Sequence, residues 1–303
     1  MEKQTMKKTK EKKLIVPNEC SLGRWIVATL VGGLIGLVVG MFFFPFLTNQ
    51  DDSIMGISYA TLSSTLLFLP FFIGLVLMLK AIAKTSLKDF VLGVGGKVNK
   101  KDYLTVAGLL LVGFVLNYLV IINNLSLRNA PFKHFAFLFV FMLFAAIFQT
   151  TIEELVFRGL FLRWACKNKL AFTKKALITA IISSLAFAVV HVSNPEVAAQ
   201  GLFGKIVVTF TYSIPGFVFF IADIYFGNLL PGIIMHWLNN FILFTIVSSD
   251  GSVLSLPTLI FDKSSHHPAW VLVSTVIVYL PMIVYLTVNI IKKRRNTASA
   301  DEQ

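Results

Sequence analysis

Residues 206–247 read IVVTFTYSIPGFVFFIADIYF, then GN, then LLPGIIMHWLNNFILFTIV. The apolar runs on either side of Gly227 and Asn228 are each close to the ~20 residues that a helix needs to cross a bilayer. Two such helices joined by two residues must form a tight hairpin. This stretch therefore predicts an α-helical membrane protein.

The same pattern recurs along the chain. Eight apolar runs can be marked, at residues 25–47, 57–79, 104–122, 135–164, 176–192, 206–226, 229–247 and 270–291. Hydrophobic residues make up 56% of the chain and charged residues only 14%, whereas soluble domains carry roughly 25% charged residues. So few charges cannot cover the surface of a soluble globule. The sequence predicts an all-α polytopic membrane protein with about eight transmembrane helices.

Lysine and arginine are unevenly distributed over the loops. When the loops are assigned to alternating sides, 23 of the 27 basic residues fall on one side, and the other side holds Arg128, Lys133, Lys205 and Lys263. Cytoplasmic loops of membrane proteins carry such an excess. We therefore expect both termini to be cytoplasmic. The net charge of +12 then reflects orientation in the membrane and not nucleic-acid binding.

The predicted organisation has three parts. Residues 1–24 form a basic cytoplasmic tail, residues 25–292 a single membrane domain, and residues 293–303 a second cytoplasmic tail. Anionic lipid heads are possible partners of the first tail, although orientation alone explains its lysines. The Lys- and Phe-rich composition favours the plasma membrane of a Gram-positive bacterium. The sequence does not indicate an oligomeric state.

Ionisable residues inside the apolar runs are few, and they lie in the second half of the chain. Such a group costs several kcal/mol in a membrane unless it is paired or solvated, so it marks a functional site by default. The polar residues of the central runs are Glu153, Glu154, Arg158, His191, Asp223, His236 and Asn240.

The spacing of these residues separates the two glutamates. Arg158 is four residues after Glu154 and shares its helical face, whereas Glu153 is turned away by about 100°. Arg158 is therefore predicted to pair with Glu154 and to leave Glu153 for a different role. A buried ion pair between helices is the purely structural interpretation, and the second, unpaired glutamate weakens it.

His236 and Asn240 are also four residues apart. An asparagine can orient a histidine or donate a hydrogen bond to an oxyanion, and a polar contact between helices is the simpler alternative. His191 alone would be an interfacial side chain. Together, two glutamates, two histidines and an asparagine on three apolar helices suit the activation of a water and the stabilisation of an oxyanion, as in general-base hydrolysis.

Three signatures occur in order on separate runs. Residues 153–159 read EELVFRG (EExxxR), residues 187–191 read FAVVH (FxxxH), and residues 236–240 read HWLNN (HxxxN). Over roughly residues 130–250 they resemble the CPBP family of CAAX proteases and bacteriocin-processing enzymes, also called the Abi family. This family includes the eight-span Ras-converting CAAX endoprotease. The resemblance implies an intramembrane endopeptidase.

The resemblance also implies roles for six residues. Glu153 and His191 would activate the water. Glu154 and Arg158 would support them, and His236 and Asn240 would form the oxyanion hole. A His₂Glu zinc site could alternatively be formed by Glu153, His191 and His236. The sequence lacks the HExxH pair typical of zinc proteases, which favours a metal-independent glutamate mechanism and keeps zinc as the alternative.

Other functions stay open at this stage. The expected substrates are bacteriocin leader peptides, signalling peptides or small membrane proteins, and the alternative is a non-catalytic self-immunity or scaffold protein of the same fold. A transporter usually shows repeated halves, and no repeat is found. One geometric difficulty remains. At ~1.5 Å per residue from the nearest cytoplasmic helix ends, Glu153, His191 and His236 lie ~17, ~24 and ~10 Å deep, whereas a common site needs one depth.

Overall fold

The computed structural model describes residues 22–48, 53–54, 57–58, 66–92, 99–128, 131–166, 172–249, 258–263 and 267–301. Most of the predicted basic tail, residues 1–21, lies outside the described residues, as do residues 302–303. The last helix continues to Asp301, beyond residue 293, where the second tail was predicted to begin.

The described chain is built mainly of helices. They are α1 (Leu22–Thr48), α2 (Phe68–Ala81), α3 (Leu87–Leu92), α4 (Lys100–Val120), α5 (Phe132–Glu154), α6 (Leu160–Cys166), α7 (Lys174–Val190), α8 (Pro195–Ala198), α9 (Leu202–Phe226), α10 (Leu230–Thr245) and α11 (Pro268–Asp301). A 3₁₀ turn, Ile122–Asn124, follows α4, and a π-helical turn, Leu155–Gly159, joins α5 to α6.

Short strands connect some of the helix ends. They are β1 (Ser53–Ile54), β2 (Ile57–Ser58), β3 (Leu125–Leu127), β4 (Val247–Ser249) and β5 (Ile260–Asp262). β1 pairs antiparallel with β2, while β5 lies between β3, to which it is antiparallel, and β4, to which it is parallel. These ladders are two or three residues long and lie between helices, so they do not alter the all-α class.

Five of the described helices are long and apolar enough to cross a membrane. They cover Gly23–Phe42, Lys100–Val120, Phe132–Ala165, Leu202–Phe226 and Pro268–Lys293. The other three predicted runs contain shorter helices, α2, α7 and α10, of 14, 17 and 16 residues. The run predicted at residues 57–79 is helical only in its second part, since Ile57 and Ser58 lie in β2. The chain is thus an all-α polytopic membrane protein, as predicted, and the count of eight spans stays a prediction.

Local sequence explains where the central helices begin and end. The Thr173 hydroxyl accepts a hydrogen bond from the Ala176 backbone N–H at 3.1 Å and so caps the start of α7. α9 ends at Gly227, whose φ of 81° is left-handed and favours glycine. Pro231 then occupies the first turn of α10, a position that does not need its missing N–H. The tight hairpin predicted around residues 227–228 is therefore present.

The helices pack around α9 and α10, which form the centre. α9 contacts α7, α10 and α11, while α10 contacts α4 and α5. α1 and α2 form a peripheral pair that reaches the centre mainly through the contact of α2 with α5. Large apolar side chains such as Leu30 and Leu34 of α1 are exposed. Such exposure is typical of a surface that faces lipid and not water.

The start of α10 is buried inside the protein. The Leu229 backbone N–H donates a hydrogen bond to the Val91 carbonyl of α3 at 2.9 Å. The Tyr103 hydroxyl of α4 donates to Asn228 Oδ1 at 3.4 Å, and both Asn228 and Leu229 are buried. The α9–α10 turn therefore lies beneath α3 and α4 and is not exposed at the membrane surface.

Candidate active site

A buried ion pair forms at the junction of α5 and the π-helical turn. Glu154 is the last residue of α5, and Arg158 follows within the turn. Arg158 Nη1 lies 3.2 Å from Glu154 Oε1, and neither side chain is exposed. The predicted pairing of these two residues is confirmed. Single π-helical turns occur frequently at functional sites.

His236 of α10 lies between the two glutamates. Its Nδ1 is 2.7 Å from Glu154 Oε1, and its Nε2 is 3.3 Å from Glu153 Oε2. Glu154 Oε1, which also faces Arg158, acts as the acceptor, so His236 Nδ1 is the donor. This hydrogen bond fixes the imidazole with its second nitrogen directed at Glu153.

Glu153 has different surroundings from Glu154. Its side chain is 15% exposed, whereas that of Glu154 is fully buried. The Gln149 side-chain amide donates a hydrogen bond to Glu153 Oε1 at 3.2 Å. Gln149 was not among the predicted site residues, although its position four residues before Glu153 on the same helical face was a usable signal. Glu153 is therefore the more exposed of the two glutamates, although its Oε2, which faces His236, is buried.

Aromatic rings surround the Arg158 guanidinium. Its Cζ lies 4.2 Å from the centroid of Phe187 and 5.8 Å from that of Phe219, distances at which a ring face attracts a cation. Within the described part of the chain, Arg158 Nε and Nη2 have no hydrogen-bond partner. The rings and Glu154 together therefore form the environment of this buried charge.

His191 lies beside this centre and not within it. The residue follows α7, and its Nδ1 donates a hydrogen bond to the Phe187 carbonyl at 2.7 Å, which leaves Nε2 as the nitrogen that can act as a base. The imidazole stacks on the ring of Tyr212. The Phe187 centroid is 4.4 Å from that of His191 and 5.5 Å from that of His236. Among the described residues, no hydrogen bond or ion pair joins His191 to either glutamate.

Asn240 lies one turn beyond His236 on α10 and is half-buried. Its Oδ1 accepts a hydrogen bond from Asn239 Nδ2 at 3.1 Å. Asn239 Oδ1 in turn accepts one from the Tyr279 hydroxyl of α11 at 2.9 Å. The structure therefore ties Asn240 to α11 through Asn239, a link that the sequence analysis missed.

The contact of His236 with both glutamates puts these three residues at one level. The predicted difference in depth between Glu153 and His236 is therefore wrong. The depth of His236 was counted along α10 from a helix end that was taken to lie at the membrane surface. In the structure this end, at Leu229, is buried beneath α3.

The candidate zinc ligands do not come together. Within the described ranges, no group of three His, Cys, Asp or Glu side chains is placed to hold a metal ion. Glu153 approaches His236, but the Nδ1 of this histidine is occupied by Glu154 and His191 lies beyond the ring of Phe187. The three residues do not fit one tetrahedral zinc ion in this arrangement.

Comparison with known families gives one match. Residues 131–242 match the family described as type II CAAX prenyl endopeptidase Rce1-like. No curated protein and no solved structure matches the chain. The matched segment extends from the start of α5 to the last turn of α10 and contains all three signatures. The match supports a membrane-embedded endopeptidase of the CAAX type and does not decide between glutamate and metal chemistry. Over residues 131–242, the chain is thus similar to the CPBP/CAAX protease family.

Proposed function

We propose that the protein is an intramembrane endopeptidase in which Glu153 activates a water molecule without a metal ion. The observation that supports this proposal is the position of His236, whose two ring nitrogens face the two glutamates that end α5. Glu154 orients the imidazole, and Glu153 is the partly exposed carboxylate beside it. Two glutamates, of which one orients the histidine and the other is partly exposed, suit general-base hydrolysis.

Glu153 is the proposed general base. Gln149 donates to its Oε1 and His236 Nε2 faces its buried Oε2, and the carboxylate takes the proton of the attacking water. His191 lies on the other side of the Phe187 ring, and we assign its Nε2 a share in orienting that water. Arg158 supports the site indirectly, because it holds Glu154 in the position that His236 requires.

His236 and Asn240 are the proposed oxyanion donors. They lie one turn apart on α10, so both can face the same carbonyl oxygen of a bound peptide. In the resting site, His236 Nε2 faces Glu153. When Glu153 takes up the proton from water, its carboxyl group no longer needs this donor. With a proton on each ring nitrogen, His236 keeps its Nδ1–H on Glu154 and its Nε2–H can then stabilise the negative oxygen of the tetrahedral intermediate.

Peptides held at the membrane are the proposed substrates. Bacteria generally lack prenylated CAAX proteins, and the composition favours a Gram-positive bacterium. We therefore infer that bacteriocin leader peptides, signalling peptides or small membrane proteins are cleaved, at the plasma membrane, by a multi-pass enzyme with both termini in the cytoplasm. The alternative, a self-immunity or scaffold protein, would make no chemical use of the contact between Glu153 and His236.

The test uses the purified full-length protein in detergent with a fluorescent peptide library. We expect the wild type to cleave a subset of the peptides, equally well with and without a chelator, and the Glu153→Gln variant to cleave none. Loss of cleavage with the chelator and its recovery with added zinc would contradict the metal-independent mechanism. Peptide binding without any cleavage by the wild type would favour the scaffold.

A further inference from the structure

A third carboxyl group, which is fully buried, adjoins the proposed site and has no role in the mechanism above. Asp223 lies near the end of α9 and is fully buried. Its Oδ1 accepts a hydrogen bond from the Gly232 backbone N–H, in the first turn of α10, at 2.8 Å. Within the described residues, its Oδ2 has no hydrogen-bond partner. A buried carboxyl oxygen without a donor requires an explanation.

Gly232 shows where this oxygen points. A β-carbon added to Gly232 would lie 2.9 Å from each Asp223 carboxyl oxygen and 3.1 Å from Glu154 Oε2. Glu154 Oε2 also lacks a hydrogen-bond partner in the part of the chain that the structure describes. Two buried oxygens, each without a donor, therefore face the same small space beside the glycine.

The charges of the cluster do not balance if every carboxyl group is ionised. Glu153, Glu154 and Asp223 would bring three negative charges. Arg158 brings one positive charge and His236 brings at most one. One carboxylate would therefore remain in excess among side chains that are buried or nearly so. An unpaired charge in such surroundings is strongly unfavourable.

We propose that Asp223 is held as a carboxylic acid whose Oδ2–H donates a hydrogen bond to Glu154 Oε2. One proton then removes the excess charge and supplies the donor that both oxygens lack. Asp223 is thus a positioning residue. It binds the first turn of α10 through Gly232 and the end of α5 through Glu154, so it sets the distance at which His236 meets the glutamates. Its effect on catalysis rests on the proposed function, whereas its protonation does not.

The protonation is tested by infrared spectroscopy of the full-length protein in detergent at neutral pH. We expect the wild type to show the C=O stretching band of a protonated carboxylic acid and Asp223→Asn to lack it. Asp89→Asn is the matched control. Asp89 lies in α3, its Oδ2 accepts a hydrogen bond from the Ser86 hydroxyl, and its backbone N–H donates one to the same hydroxyl oxygen. In this variant the band should persist. A wild type without the band, or a band that survives Asp223→Asn, overturns the proposal. This readout needs no activity, so it is independent of the proposed protease function.

The positioning role is tested by kinetics on a cleaved peptide. In Asp223→Asn, the amide can donate to Glu154 and its oxygen can accept from Gly232, so we expect kcat within about threefold of the wild type. Asp223→Ala removes both hydrogen bonds and should lower kcat at least about tenfold with little change in KM. Equal impairment of the two variants, or no impairment of either, overturns the role. If Asp223→Ala does not fold, the infrared band of the wild type and its loss in Asp223→Asn still test the protonation of Asp223.

Discussion

The peripheral pair α1–α2 and the polar centre formed by α5, α9 and α10 are held together in different ways. In the peripheral pair, backbones approach closely at glycines: a β-carbon on Gly32 would lie 2.8 Å from Leu75 Cα. In the polar centre, α5 and α10 are joined by the contacts of His236 with Glu153 and Glu154. Lipid offers no hydrophobic driving force between helices, so association depends on close packing or on polar contacts. In this chain, α1 and α2 associate by close packing, whereas α5 and α10 associate through polar contacts.

This difference separates stability from chemistry. A substitution in the peripheral pair should lower stability and leave the catalytic step unchanged. A substitution in the polar centre should change the catalytic step, and it should lower stability only where it leaves a buried charge without its partner.

The two adjacent glutamates give the largest expected effects. Glu153→Gln removes the proposed base and should reduce turnover by ~10²–10⁴-fold, with little change in thermal stability because the shape is kept and the side chain is partly exposed. Glu154→Gln should impair turnover and also cost ~3–5 kcal/mol of stability, since it leaves the buried charge of Arg158 uncompensated. Cleavage rates and melting curves of both variants check this. Near wild-type turnover in Glu153→Gln would show that another group is the base.

The oxyanion assignment gives the next largest effect and distinguishes an enzyme from a scaffold. Asn240→Ala should reduce kcat by ~10²–10³-fold and change KM little, because the donor acts mainly in the transition state. Asn239→Ala is the neighbouring control, and its effect on kcat should be smaller. Peptide binding should be measured on the same variants. Loss of binding in Asn240→Ala, with no cleavage detectable in the wild type, would make the polar centre a recognition site.

Local features of this chain were predictable from the sequence. Each of the eight apolar runs contains a helix, because hydrophobic length is a property of each segment alone, although the second run begins in the strand β2. The Glu154–Arg158 pair followed from a spacing of four residues within one continuous helical stretch, and the Gly227–Asn228 hairpin followed from a two-residue link. Each of these inferences needs only residues that are close in sequence.

Contacts between helices were not predictable in the same way. A spacing of four shows which residues share a face and does not show which helix that face meets. The contact of His236 with Glu154 spans 82 positions, and no local pattern specifies it. The buried start of α10 depends on α3, a short helix that the apolar runs did not indicate. The separation of His191 from the glutamates by the Phe187 ring likewise depends on how α7 packs.

The peripheral pair provides the third test. Gly32→Ala should cost ~1–3 kcal/mol, because the new methyl group overlaps the backbone of α2 at Leu75. Gly108→Ala in α4 is the matched control, since its β-carbon would meet nothing within 4 Å. It should be neutral or stabilising by up to ~1 kcal/mol through helix propensity. Melting curves compare the two variants, and kcat should match the wild type in both. A fall in kcat for Gly32→Ala in correctly folded protein would mean that α1–α2 contributes to the chemistry.

The smallest expected effect concerns the π-helical turn that carries Arg158. The Ser183 hydroxyl of α7 donates a hydrogen bond to the Phe157 carbonyl at 2.5 Å, which ties α7 to the turn next to the buried arginine. Ser183→Ala should cost ~0.5–1.5 kcal/mol and lower kcat only a few-fold, because Glu154 and the aromatic rings still hold Arg158.

Ser184→Ala is the control for this link. The Ser184 hydroxyl donates to the Ala180 carbonyl of its own helix at 2.6 Å, a bond within α7 that joins no second element and slightly disfavours the helix. Its loss should therefore leave the melting temperature nearly unchanged. Equal melting temperatures for the two variants would mean that the hydrogen bond from α7 does not stabilise the π-helical turn. A larger loss of kcat than of stability in Ser183→Ala would instead mean that the position of Arg158, and through it of Glu154, depends on α7 as well as on α5.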